Sequence, residues 1–254
     1  MGIRRWTPGG KWADSPQAWR MARWLSFGAL PFAVSLVLAM AVTAYADRAG
    51  TSSGLGQAAG SSASETTEQL MNLSPLQPRQ APGFTLTDQR GRPVTLASFR
   101  GKAVLLGFYD PRCTQVCPVV AQMLAEADKD LGPRAGRVAF VGVNVNPAAE
   151  SVADIRRFST VHGLARLPNW YFLTGPTARL AAVWGSYGIE VSLPARAAET
   201  VHGDYLYFLD PLGTERYLAE PLAGQRNGAG YLPAGTITAW GQGIARYLTL
   251  AGAS

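Results

Sequence analysis

The chain has 254 residues, 47% of them hydrophobic, with 23 basic and 17 acidic side chains for a formal charge of +6. That length and apolar content suit one domain of ordinary size with appendages. Four of the six excess charges fall in residues 1–23, where Arg4, Arg5, Lys11, Arg20 and Arg23 face only Asp14; this is not the spread of basic and aromatic residues over a folded face that nucleic acid binding requires, and no nucleic acid partner is expected.

In chain order, the basic residues 1–23 are read as a cytoplasmic N-terminus. Next comes an uncharged run from Trp24 to Ala46, long enough for one helical crossing of a hydrocarbon layer about 30 Å thick. Trp24 and Tyr45 sit where interfacial aromatics gather, and Pro31 lies near one end, where a membrane helix tolerates it. Basic residues precede the run and none follows closely except Arg48 beside Asp47, so the rest of the chain is expected outside the cell membrane, held by a single-pass anchor at 24–46. Ala44-Tyr45-Ala46 also fits a small-x-small cleavage site; a removed leader is the alternative, against which stand the long basic region and the long apolar run. Residues 47–80 are rich in Gly, Ser, Ala, Thr and Gln and are expected to form a flexible tether, because they offer almost no large apolar side chains to bury.

The folded domain is expected over 81–254. Phe84 to Thr87 and Val94 to Leu96 read as a hairpin around a turn containing Gly91. Lys102 to Tyr109 and Val138 to Val145 read as buried strands, Trp170 to Leu173 and Tyr205 to Leu209 as shorter ones. Apolar positions at helical spacing predict helices from Pro118 to about Leu131, Val152 to His162, Thr177 to Trp184 and Ile237 to Leu248. Strands alternating with helices of this length predict an α/β domain, a central sheet with helices on both faces.

The two cysteines of the chain stand together as Cys113-Thr114-Gln115-Val116-Cys117, after a predicted strand and before a predicted helix. Unpaired N–H groups and the positive dipole end of a helix start stabilise thiolates. A stabilising disulfide is a weak reading, since a loop of three intervening residues removes little unfolded-state entropy. The pair is therefore a redox couple or a soft-metal clamp. If a helical turn joins them, the sulfurs at i and i+4 face one point, and two thiolates select Cu(I) or zinc while leaving room for a third ligand. The chain has two histidines. His162 ends a predicted helix before Gly163, an ordinary capping position. His202 lies in a loop ahead of Tyr205-Leu206-Tyr207-Phe208-Leu209-Asp210-Pro211.

The stretch Gly107-Phe108-Tyr109-Asp110-Pro111-Arg112-Cys113-Thr114-Gln115-Val116-Cys117-Pro118 resembles the cysteine segment of the Sco/SenC family, and His202 ahead of its Leu-Asp-Pro-x-Gly-like strand resembles that family's other ligand segment. The resemblance covers roughly residues 81 to 250 and includes the anchor and tether. It implies a thioredoxin-like fold, a central mixed sheet with an N-terminal β-hairpin. It further implies copper held by Cys113, Cys117 and His202, and a role in building the binuclear copper centre of cytochrome c oxidase, whose copper-bearing subunit would be the partner. The chain departs from the family at Gln115, where aspartate is frequent, at Asn144-Val145-Asn146-Pro147, where Val-Asp-Pro is common, and at Gly203-Asp204 after the histidine. Two other readings stay open: a membrane-anchored thiol-disulfide oxidoreductase using Cys113 and Cys117 as its catalytic redox pair, and a peroxidase of the peroxiredoxin type.

Overall fold

In this computed structural model the described residues are 67–192, 200–221, 224–226 and 229–252. They fall within the compact unit Leu55–Ser254. The expected membrane segment from Trp24 to Ala46 thus lies outside the described residues, among which no helix is long and apolar enough to cross a membrane.

A helical turn at 67–70 leads to strands β1 (Ser74–Gln80), β2 (Thr85–Asp88), β3 (Pro93–Thr95) and β4 (Ala103–Tyr109). Helix α1 (Val116–Leu131), β5 (Val138–Asn144), α2 (Val152–Val161), β6 (Trp170–Thr174) and α3 (Thr177–Ser186) follow. Two-residue strands β7 (Val191–Ser192) and β8 (Val201–His202) precede β9 (Leu206–Leu209) and β10 (Thr214–Ala219). Short strands β11 (Gly224–Arg226) and β12 (Ala229–Tyr231) come before the closing helix α4 (Ala234–Leu250).

Eight strands form one mixed sheet in the order β1-β10-β9-β4-β5-β6-β2-β3. It is parallel across β4, β5 and β6 and antiparallel at the other pairs. All seven residues of β4 and of β5 are buried, as expected for central strands covered on both faces. Alternate side chains divide between two cores. Leu105, Tyr109, Phe140 and Phe172 meet α1, α2 and α4 on one face, while Leu106, Phe108, Val141 and Val143 meet α3 on the other. The expected α/β sheet with helices on both faces, and its N-terminal hairpin β2–β3, are present.

A pair of glycines shapes the floor near the cysteines. Gly107 and Gly142 face each other across β4 and β5. A Cβ on Gly107 would stand 2.3 Å from Tyr109 Oη, and one on Gly142 would stand 2.7 Å from Tyr109 Cδ2. The bare backbone at both positions is what leaves room for the buried Tyr109 ring.

The expected tether is too long at its C-terminal end. Residues 74–80 are an edge strand, paired from Ser74↔Leu218 to Gln80↔Thr214, and Arg79 Nε donates to the buried Glu215 at 2.6 Å. Pro75 and Pro78 are compatible with an edge, where one side of the strand needs no ladder partner. Before it, Met71 is fully buried, its sulfur beneath Gly243 of α4. The domain therefore starts by residue 67, not at 81. Helix α1 also starts earlier than expected, at Val116, which puts Cys117 inside its first turn.

Candidate functional site

Beyond the last residue of β4 the chain turns sharply. Cys113 N–H donates to the Asp110 carbonyl at 3.0 Å and Arg112 N–H to the Asp110 carboxylate at 2.7 Å. This Asx-type turn aims Cys113 at the start of α1. There the Cys117 N–H donates to Cys113 Sγ at 3.4 Å. The helix begins with Gln115 as a cap residue whose side chain makes no capping bond, so the sulfur supplies an acceptor to one of the orphan donors of the first turn. The two cysteines carry no disulfide. They are brought together as expected, but through a turn and one N–H···S bond instead of a helical i, i+4 pair.

Their environments differ. Cys117 is 1% exposed among core side chains, whereas Cys113 is half-buried at the edge of that core. Burial pushes the Cys117 thiol well up, reinforced by its hydrogen bond and charge interaction with Cys113 and opposed by the Asp110 backbone N–H. For Cys117 the expected lowering by the helix start is therefore reversed, because desolvation outweighs the dipole.

His202 ends β8, paired with Val191 of β7 and outside the main sheet. Its side chain is 5% exposed, with Nδ1 at 3.7 Å from an Asp204 oxygen. Nδ1 is also 3.1 Å from the Gly203 carbonyl; a carbonyl only accepts, so Nδ1 is the donor, and in the neutral ring Nε2 then has the lone pair a metal would use. Asp204 is held above the usual carboxylate range by burial, partly offset by His202 and reinforced by Glu220.

Asp110 ties the two segments together. Its carboxylate, 1% exposed, accepts from Arg112 N–H, from Asn146 Nδ2 at 2.9 and 3.0 Å, and from the Thr200 N–H and Oγ1 at 2.7 and 3.1 Å. Thr200 lies two residues before His202, and Asp110 three before Cys113. Asn146 is itself fixed, its N–H donating to Asn144 Oδ1 at 2.7 Å. The Asn144-Val145-Asn146 departure noted in the sequence is thus a buried scaffold for Asp110. Neither Asp110 nor Asn146 was singled out for the site; the only sequence signal was two asparagines at the end of a buried strand.

The cysteine turn and the His202 segment therefore meet at the same end of the sheet, where β4 finishes and β9 begins, with Gly107 opposite Leu206. They do not close into a preformed cage. Among the described residues no group of three or more His, Cys, Asp or Glu side chains is placed to hold a metal ion. His162 caps α2, its ring 4.4 Å from that of Phe158, and lines a cleft beside Cys113. Burial lowers its pKa.

Comparison with known proteins fits this geometry. The "SCO1 protein homolog" of Bacillus subtilis (strain 168) is 25% identical over 132 residues, covering 51% of this chain and 68% of that protein. A chloroplastic peroxiredoxin Q of Triticum aestivum is 28% identical over 137 residues, covering 54% of this chain and 55% of its own. The chain spans about half the length of the mitochondrial SCO2 homolog of Bos taurus, to which it is 30% identical over 137 residues. Among solved structures, copper-bound ScoI of Bradyrhizobium japonicum superposes with a TM-score of 0.54 at 23% identity, covering 68% of this chain and 99% of that one. This likeness supports the thioredoxin-like fold. The SCO1/SenC family model matches residues 74–227, from the first residue of β1 to just beyond β11, and the chain belongs to that family.

Proposed function

We propose that this chain is a copper-binding assembly factor that carries one copper ion on Cys113, Cys117 and His202 and delivers it to the copper-bearing subunit of cytochrome c oxidase. The observation that carries this reading is the cysteine pair, two sulfurs held together by the Cys117 N–H···Sγ bond at the start of a buried helix. Asp110 binds the same turn to Thr200, two residues ahead of the histidine. Two thiolates favour the soft Cu(I), and imidazole adds the nitrogen donor that Cu(II) needs. The copper-bound state of the Bradyrhizobium japonicum relative supports the same cargo. Because no three such ligands are preassembled among the described residues, copper is expected to draw the His202 segment in and stiffen the chain between Tyr187 and Tyr205. The run at 24–46 is read as the anchor that keeps this domain on the outer face of the cell membrane.

Copper titration of the unmodified protein and of Cys113→Ser, Cys117→Ser and His202→Ala, under reducing and non-reducing conditions, tests the assignment. Either serine variant is expected to abolish tight binding. His202→Ala is expected to keep a weaker Cu(I) site and to lose most Cu(II) binding, together with its thiolate-to-copper absorption band. If His202→Ala binds both oxidation states as the unmodified protein does, the third ligand is wrong; equal binding by a cysteine variant would sink the site. The unequal exposure of Cys113 and Cys117 favours a second reading alongside this one, thiol-disulfide exchange with a partner.

A further inference from the structure

Cys113 also faces a feature that copper binding does not use. An open cleft of about 550 Å³ is lined by Arg112, Cys113, Arg157, Phe158, Val161 and His162, among others. That volume lies in the range of sites that hold small ligands or a few side chains. One wall is apolar, with Val161 of α2 left 70% exposed. The charge is one-sided: no carboxylate lines the cleft among the described residues. Arg157 reaches Asp154 only at 3.9 Å with its side chain 66% exposed, and Arg112 Nη2 donates to a neutral acceptor, the Ala148 carbonyl, at 2.7 Å. Two guanidiniums flanking a half-buried thiol match carboxylates on either side of a disulfide.

We propose that this cleft receives a carboxylate-flanked peptide disulfide, that Cys113 attacks it and that Cys117 resolves the product. This rests on the thiol-exchange reading and names its substrate class and the order of the two cysteines. The order follows from geometry, since Cys113 borders the cleft while Cys117 is 1% exposed behind it. Cys113 as thiolate forms a bond to one sulfur of the bound disulfide; the ligand's own S–S bond breaks, and its second sulfur leaves and takes a proton from water. Cys117, losing its proton to water, then attacks Cys113 Sγ, forming the Cys113–Cys117 disulfide and releasing the first ligand sulfur as a thiol. Two electrons pass from the protein pair to the ligand, and an external dithiol must reduce the pair before another turnover.

The test uses the reduced full-length chain in detergent with a copper chelator present, and two peptides that share one intramolecular disulfide but carry Glu or Lys on both sides of it. Each rate is divided by that peptide's rate with 2-mercaptoethanol, which removes intrinsic reactivity. The Glu peptide is expected to react about tenfold faster at low salt, with the advantage shrinking as salt rises. Arg157→Glu, at an exposed position that does not threaten the fold, is expected to remove or invert the preference. Cys117→Ser is expected to accumulate a mixed disulfide on Cys113 visible by mass, and Cys113→Ser to form none. Equal normalised rates for the two peptides, or a mixed disulfide on Cys117, overturn the proposal while leaving thiol exchange itself standing. No reduction of either peptide overturns both.

Discussion

The cysteine segment and the histidine segment meet at one end of the sheet but are held there by different means. Cys113 lies in the turn between β4, buried at every residue, and α1, and Cys117 in the first turn of α1, whose inner face from Cys117 to Leu131 is core. His202 lies on a two-residue strand paired with another two-residue strand. Few apolar contacts and few ladder bonds place such a segment at the low-stability end of a fold. The first half of the site is therefore positioned by packing and the second by a handful of hydrogen bonds, led by those from Thr200 to Asp110. A site built this way keeps its sulfurs paired before a metal arrives while the third donor remains adjustable.

The comparison is broken most severely at Asp110. Asp110→Ala removes the acceptor of the half-buried Arg112 and Thr200 N–H groups and Thr200 hydroxyl and of the buried Asn146 amide. Leaving buried donors unsatisfied costs about 1–3 kcal/mol each before relaxation, so a loss on the order of 4 kcal/mol is expected in denaturant unfolding. A loss below about 1 kcal/mol would mean that the carboxylate does not join the two segments.

A gentler change separates them. Thr200→Val removes the hydroxyl donor while keeping the N–H, and is expected to cost about 1 kcal/mol or less globally. Hydrogen exchange should quicken in residues 200–205 and stay unchanged in the first turn of α1. Equal loosening of both segments would show that they form one rigid unit.

The smallest effect concerns His162, in the cleft beside Cys113. Its folded-state pKa lies below the ordinary 6.5 because burial disfavours the imidazolium. The unfolded chain then binds the proton more readily, so this contribution to stability is present above pH 6.5 and declines as pH falls through that value toward the lowered one. His162→Gln should flatten that part of the stability profile by a few tenths of a kcal/mol, the residue being only half-buried. An NMR titration giving a pKa above 6.5 would contradict the assignment.

Much of this molecule is legible in its residues. The continuous apolar runs of β4 and β5, the helical spacing from Val119 to Leu131, and the paired cysteines between them are local patterns whose physical reading does not depend on distant partners. Strand β1 was not legible, because Ser74-Pro75-Leu76-Gln77-Pro78-Arg79-Gln80 has the composition of a linker and becomes a strand only by adding to the exposed edge of β10. Strand β10 itself, Thr-Glu-Arg-Tyr-Leu-Ala, hides a buried Glu215 that makes sense only once Arg79 is beside it.

The site divides in the same way. Sequence alone determined which side chains bring sulfur and imidazole chemistry, since only two cysteines and two histidines exist and the cysteines lie between a strand and a helix. Tertiary structure decided what each of them does there. Burial turned Cys117 from an activated thiol into a protected one, left Cys113 open to a cleft, and put His162 on that cleft, although its capping position had marked it as ordinary. It also made Asp110 the tie between segments separated by ninety residues of chain. Desolvation and long-range hydrogen bonding depend on what the rest of the chain packs around a residue, and no local spacing encodes that.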